Sequence, residues 1–348
     1  MLCFKVRAIT LSYKWTTVLS CHSDRDVRNK QLFWKRMDKY KIIGHLSGGA
    51  HGVVLKAVSR RSRRDQETSN SHLFAIKRIP FQTHIRVKKK IPRPILREIK
   101  CLKLLSGQES IVSLLEVIVG GNSVNLVFPL LPSNLSSIIY EKDLSLIQKK
   151  AYAFMLLQGI HVIHSNGIIH RDLKPANLLV DWNGRIKICD FGQGRLLSTG
   201  LMSHEVSTRW YRAPELLYGA EKYSEDVDLW SAGCIVAEIF LRRPLFASDS
   251  DIGQLFLVVS SLGPPPQEWA VNFPDYNKIS FNVEHDELVS KSMEWKNNLS
   301  KSFDEDMFQV VLSLCCYTNR LDANSLLHSE PFLEFDKNGI NHDILVIP

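Results

Sequence analysis

The sequence predicts an α+β fold of two lobes, a small β-rich one followed by a larger helical one. Three observations carry this. Short alternating segments crowd the chain before residue 130, helical periodicity dominates from about Ser145, and a connector containing Pro129 and Pro132 separates the two. Residues 40–58 read as strands around a glycine-rich turn, and Phe74–Ile79 alternates partway, as a half-buried strand does. Pro92 and Pro94 open a helix with Ile95, Ile99, Leu102 and Leu105 along one stripe. Leu126-Val127-Phe128 is a further strand, and the joint between lobes falls near Phe128–Asn134. Beyond it, Gln148–His164 reads as an amphipathic helix and Ser224–Phe240 as a long apolar one capped by Ser224. The expected organisation is an extension without order over 1–37, a small lobe over 38–131, a large lobe over 132–335 and a tail over 336–348.

A chain of 348 residues, 45% hydrophobic and 23% charged, is long and apolar enough to give both lobes a core. No run of about 18 uncharged apolar residues occurs, so no membrane span is expected. The net charge of +8 sits partly in Arg60–Arg64 and Lys88–Lys90, beside predicted loops, where a solvated face is the simplest reading. No groove-reading or base-stacking motif accompanies them, which argues against a nucleic-acid partner. The seven cysteines include no Cys-x-x-Cys pair, so neither a disulfide framework nor a zinc site is indicated, and a reducing compartment fits. Before Asp24 there is no acidic residue, a faint likeness to a transit peptide; Lys14 breaks any signal-peptide core, and Met37 offers a second start.

The chemistry concentrates in His170-Arg171-Asp172-Leu173-Lys174-Pro175-Ala176-Asn177, followed by Asp190-Phe191-Gly192. Phosphoryl transfer asks mainly for positioning and charge neutralisation. Asp172 can accept the proton of an attacking hydroxyl, and Lys174 can neutralise charge on a γ-phosphate. Asn177 and Asp190 offer the oxygen ligands that Mg²⁺ prefers. Either short motif alone would be matched by a structural ion pair; together, and followed by Ala213-Pro214-Glu215, they match the protein-kinase signature. Upstream, Ser47-Gly48-Gly49-Ala50-His51-Gly52 occupies the place of a nucleotide-covering glycine-rich loop, with Ser47 where the first glycine usually stands and Gly49 and Gly52 as the second and third. Taken by itself, that segment is better read as a plain β-turn. Lys77, one strand later, can hold the α- and β-phosphates and pair with Glu98, where a surface salt bridge is the ordinary alternative. Phe128 would guard the back of the pocket, and adenine would bond to the carbonyl of Pro129 and the N–H of Leu131. Leu46, Val54, Ala75 and Leu179 would sandwich the base, although each alone reads as common core. ATP and Mg²⁺ are therefore the expected cofactors.

From about Met37 to Leu333 the chain resembles the cyclin-dependent kinase group, within the larger class that includes MAP kinases. The resemblance rests on Gly49-Ala50-His51-Gly52, Ala176-Asn177-Leu178-Leu179, the run Thr208–Ala220 and Pro274-Asp275-Tyr276-Asn277-Lys278-Ile279-Ser280-Phe281. It implies a bilobal protein-kinase fold and an activation-loop phosphoacceptor at Ser203, received by Arg97, Arg171 and Arg195. It also implies that Thr208 bridges toward Asp172 and Lys174, and that Arg212 shapes a pocket for proline after the target residue. Glu215 and Arg320 would form a buried ion pair, and Asp228 would anchor the catalytic loop. Protein substrates with Ser/Thr-Pro sites, other kinases among them, follow by resemblance, as do roles in cilium assembly and cell growth and a location in cytoplasm, nucleus and cilium.

Three departures stand out. The inhibitory Thr-Tyr pair of the glycine-rich loop is Ala50-His51, so that brake is expected to be missing. The cyclin-facing motif is Pro92-Arg93-Pro94-Ile95-Leu96-Arg97-Glu98, so a cyclin-like activator would meet a divergent helix. Gln193-Gly194 replaces Leu-Ala after Asp190-Phe191-Gly192, a change expected to loosen the activation segment. Ser47 and Gln193-Gly194 invite a rival reading, a scaffold that signals by binding; the intact set Lys77, Glu98, Asp172, Lys174, Asn177 and Asp190 argues against it.

Overall fold

The computed structural model describes residues 37–49, 52–60, 73–81, 91–120, 122–197, 200–340 and 344–345. Ala50, His51, Arg61–Arg64, Lys88–Lys90 and the extension before Met37 lie outside them. The chain forms two compact units, one running to Pro92 and including Glu116–Val127, the other comprising Arg93–Leu115 and everything from Phe128 onward.

The first unit is a five-stranded sheet of β1 (Tyr40–Gly49), β2 (Gly52–Ser59), β3 (Leu73–Pro80), β4 (Glu116–Gly120) and β5 (Ser123–Pro129), the last running on into the second unit, in the order β1-β2-β3-β5-β4. The β1–β2 hairpin closes with Gly49 opposite Gly52. Gly52 has φ +114°, and a Cβ there would lie 2.3 Å from the Arg78 carbonyl oxygen, so the sheet itself demands glycine at this position. Ala57, Ile76, Ile118 and Val127 are buried against Met37, and the Tyr40 ring meets Phe74 edge-on at 5.1 Å. Lys77 sits opposite Val54 in the β2–β3 register.

The second unit holds the helices α1 (Arg93–Leu104), α2 (Leu135–Glu141), α3 (Leu146–Ser165), α4 (Pro214–Leu217), α5 (Asp226–Leu241) and α6 (Asp251–Leu262). It continues with α7 (Gln267–Ala270), α8 (His285–Ser300), α9 (Glu305–Leu314), α10 (Ala323–Leu327) and α11 (Leu333–Asn338). Short strands β6 (Ser133–Asn134), β8 (Leu178–Val180) and β9 (Ile186–Ile188) form one small sheet, while β7 (Ile168–Ile169) pairs with β10 (Arg195–Leu196). One large core spans most of the unit, and a second, smaller cluster gathers Leu217, Tyr218, Leu255, Val259 and Leu288. Trp230 stacks on Phe246, which stacks on Trp295, and Phe240 stacks on Phe303.

Four sequence expectations change here. α1 belongs with the helical unit and not with the small lobe, because Cys101 and Leu102 on it, and Leu105 just beyond, are buried in the large core. The α3 segment is not amphipathic: seven consecutive residues, Ala151–Leu157, are buried, and the helix packs on α5, β9 and α10 from several sides. Its start is set by a capping box in which the Ser145 hydroxyl accepts from Gln148 N–H and the Gln148 side chain accepts from Ser145 N–H. α5 begins at Asp226 with Glu225 at the cap position, and Ser224 instead accepts the Asp226 N–H at 3.3 Å. Finally, the tail over 336–348 is not wholly separate, since α11 runs into it and Leu345 is buried in the large core.

Candidate active site

Asp228, in the first turn of α5, binds the backbone of the His170–Asn177 loop, as expected of its anchor. Its side chain is 1% exposed; Oδ2 accepts the His170 N–H at 2.8 Å and Oδ1 the Arg171 N–H at 2.8 Å, with His164 Nε2 3.0 Å from Oδ2. Burial opposes its charge, but the His164 hydrogen bond, the neighbouring histidines and the backbone donors outweigh it and hold the carboxyl below the usual aspartate value. These bonds grip a strained backbone. Arg171 stands at φ +65°, and its carbonyl is closed off by the Ser207 hydroxyl at 2.5 Å.

His170 couples this loop to the next motif. Its Nδ1 accepts the Asp172 N–H at 3.2 Å, which leaves Nε2–H to donate to the Cys189 carbonyl at 2.9 Å. The Phe191 ring meets His170 edge-on at 4.8 Å and is fully buried. Asp190, between them, has φ +60°, so both carboxylate-bearing loops run through left-handed backbone. The expectation of a loosened segment at Gln193-Gly194 is not met. The Gln193 carbonyl accepts from Arg171 Nε at 2.8 Å, Gly194 N–H bonds the Phe191 carbonyl at 2.9 Å, and a Cβ on Gly194 would lie 3.0 Å from that oxygen.

Around Asp172 every donor converges. Oδ1 accepts from Thr208 N–H at 2.9 Å and from Thr208 Oγ1 at 3.0 Å; Oδ2 accepts from Lys174 Nζ at 3.0 Å and Asn177 Nδ2 at 3.2 Å. Lys174 Nζ also donates to Thr208 Oγ1 at 2.8 Å. The Thr208 hydroxyl thus relays between the carboxylate and the ammonium. Asn177 Nδ2 further donates to the Asp172 carbonyl at 2.8 Å, so its amide oxygen is the atom left to face a cation. With Asp190 this makes two hard oxygen donors. That donor set fits a divalent ion carried in on a nucleotide, whose phosphates and water fill the remaining positions. Among the described residues no group of three or more His, Cys, Asp or Glu could hold a metal by itself.

The residues expected to serve activation and the proline pocket lie on the same unit. Ser203 is exposed, and its carbonyl accepts from Tyr223 Oη at 2.6 Å, while Tyr223 Oη accepts from Arg171 Nη1 at 2.8 Å. Arg195 Nη1 donates to the Leu201 carbonyl at 3.1 Å, and Arg97 faces outward on α1. Arg212 donates through Nε to the Val206 carbonyl at 2.9 Å and through Nη2 to the Ser207 carbonyl at 3.1 Å. Glu215 and Arg320 form the expected pair, bidentate with one arm at 2.9 Å, with side chains 9% and 3% exposed; Arg320 also lies 5.2 Å over the Trp230 ring.

The remaining residues expected around a nucleotide lie as follows within their own units. Leu46 and Ser47 are exposed on β1, while Val54, Ala75 and Lys77 are half-buried on β2 and β3. Phe128, Pro129, Leu131 and Leu179 are half-buried, and Glu98 is buried on α1. Two residues escaped the sequence reading altogether. Tyr223, which links Arg171 to Ser203, and Asp251, which meets Arg212, carry no motif of their own, and only the folded chain brings them to the site.

The chain matches the protein kinase domain model over residues 40–330. It is similar to cyclin-dependent kinase 20 of Danio rerio, 42% identical over 279 residues that cover 77% of this chain and 78% of that protein. Cyclin-dependent kinase 20 of Homo sapiens is 42% identical over 253 residues, 70% of each chain. Cyclin-dependent kinase 7 of Caenorhabditis elegans is 39% identical over 236 residues, 66% of this chain and 69% of that one.

Proposed function

The chain belongs to the protein kinase family as a serine/threonine kinase of the cyclin-dependent type, and we propose that it phosphorylates serine or threonine followed by proline. Among its relatives we place it as a counterpart of cyclin-dependent kinase 20, also called cell cycle-related kinase. The observation that carries the reading is the ring of donors fixing Asp172. Asp172 accepts the proton of the substrate hydroxyl, and Lys174 and Thr208 hold its carboxylate in one orientation. Lys77 positions the phosphates of ATP. Asn177 and Asp190 would hold Mg²⁺, which would supply charge neutralisation at the phosphates.

The proline preference rests on Arg212. Ser207 stands at φ +69°, and its carbonyl is already taken by Arg212 Nη2. A residue following the target would find no acceptor for its N–H there, and proline has none to satisfy. Purified chain with ATP·Mg²⁺ should therefore transfer phosphate to a Ser-Pro peptide faster than to its Ser-Ala twin. Transfer no greater than that of an Asp190→Ala control would sink the enzyme reading.

Ser203 is the proposed activating phosphoacceptor, supported by its exposure and by the Tyr223 link to Arg171. Because Tyr223 holds the main-chain carbonyl, Ser203→Ala keeps that bond and removes only the phosphate. Activity of phosphorylated enzyme should exceed that of Ser203→Ala at least about tenfold, with nucleotide affinity retained. Equal turnover in the two would remove Ser203 from the switch. By resemblance we further propose a cyclin-like activator accommodated by the divergent α1, substrates that include other kinases, work in cilium assembly and growth signalling, and residence in cytoplasm, nucleus and cilium; imaging a tagged chain tests the last.

A further inference from the structure

The proline pocket depends on where Arg212 points, and Arg212 does not stand alone. Its third guanidinium arm, Nη1, meets Asp251 Oδ2 at 2.9 Å. The other oxygen of the same carboxylate, Oδ1, accepts from Arg209 Nε at 2.6 Å. Asp251 is the first residue of α6, whose start is fixed by the Ser250 hydroxyl accepting the Gly253 N–H at 3.0 Å. The loop before it is tied to the same turn of chain: Arg209 Nη1 donates to the Asp249 carbonyl at 2.9 Å and Trp210 Nε1 to the Ser248 carbonyl at 3.2 Å. Gln254, one turn into α6 and fully buried, donates to the Trp210 carbonyl at 3.3 Å. One carboxylate on a rigid helix end therefore collects two arginines from the segment that bears the pocket.

We infer that Asp251 is the positioning residue of the proline pocket: it holds Arg212 so that Nε and Nη2 stay on the Val206 and Ser207 carbonyls and deny them to the substrate. This deepens the proline-directed reading and rests on it. The physical reason is charge. Arg209 and Arg212 send their guanidinium arms to a single acceptor group, and without it they repel each other at close range. A replacement at hand is unfavourable to the pocket, because Glu205 and Arg212 line the same cavity of about 350 Å³, together with Ile252, Asp275 and Ile279. An Arg212 drawn toward Glu205 would release the Ser207 carbonyl. A free carbonyl accepts the N–H of any residue after the target except proline, so discrimination should relax from the non-proline side.

The test uses the full chain, Asp251→Ala and Asp251→Asn, with two peptides that differ only in proline or alanine after the target serine. The ratio of kcat/KM for proline over alanine should fall about tenfold in Asp251→Ala, the worth of one regained hydrogen bond. The change should appear as a lower KM for the alanine peptide, with a smaller shift in Asp251→Asn, which retains one acceptor oxygen. An unaltered ratio in both variants overturns the inference. So does a parallel loss of kcat for both peptides with a lowered melting temperature, since that marks a purely structural role. A wild type without proline preference overturns the proline-directed reading itself and this inference with it, and shows before any variant is made.

Discussion

Replacing Asp172 with asparagine should lower kcat by about 10²–10⁴ while leaving ATP affinity nearly unchanged. Two losses combine. The proton acceptor disappears, and the orienting network turns against the new side chain. The Asp172 carboxylate accepts four hydrogen bonds, from Thr208 N–H, Thr208 Oγ1, Lys174 Nζ and Asn177 Nδ2, all between 2.9 and 3.2 Å. An asparagine amide offers one oxygen and one NH₂, so whichever way it turns, an NH₂ faces donors that were satisfied before. The variant therefore misplaces what it retains. ATP affinity should survive, because Lys77 and the residues assigned to the base make none of those contacts, and Lys174 keeps its bond to Thr208 Oγ1. Steady-state kinetics with a Ser-Pro peptide, beside a nucleotide titration, measure both quantities. A kcat within a few-fold of wild type would mean that Asp172 is not the proton acceptor.

What was legible in the sequence follows from how local each arrangement is. Asp172, Lys174 and Asn177 lie within six residues on one loop, so their spacing alone announces them, and the structure joins them by direct bonds. Thr208 stands 36 residues away from Asp172 and was reached only through family resemblance. Tyr223 and Asp251 were not reached at all, because a tyrosine and an aspartate at a helix start are common, and their meaning comes from tertiary contacts to Ser203 and Arg212. The same limit explains the misread helix. In α3 the polar residues Gln148, Lys149 and Lys150 cluster near its start and Gln158, His161 and His164 toward its end, which imitates a polar face, whereas the apolar run between them is buried all round. Burial on several sides is a property of what packs against a helix, and no single-helix period records it. Gly194 shows the reverse error: glycine after Gln193 suggested looseness, but its N–H bonds the Phe191 carbonyl, and a Cβ would crowd that oxygen at 3.0 Å.

The second large effect is expected from Asp228, a residue that touches no substrate. Asp228→Ala should destabilise the helical unit by about 3–5 kcal/mol, with a fall in melting temperature of roughly 10 °C. Alanine leaves the His170 and Arg171 N–H groups buried without acceptors and His164 without its partner. The sign with pH follows from the lowered carboxyl. A depressed folded-state value contributes stability that is present above the ordinary aspartate range and lost as pH falls through the folded value. The gap between wild type and Asp228→Ala should therefore narrow on acidification and hold steady through neutrality. Activity should fall further than stability explains. Arg171 at φ +65° is held left-handed by Asp228 on its N–H and by Ser207 on its carbonyl. Releasing one end lets the backbone relax toward ordinary values and carries Asp172, the next residue, out of its ring of donors. Thermal unfolding and kinetics below the lowered melting temperature separate the two contributions. A variant that unfolds early yet retains wild-type kcat while folded would show that the loop keeps its shape without Asp228, and would defeat the anchoring role.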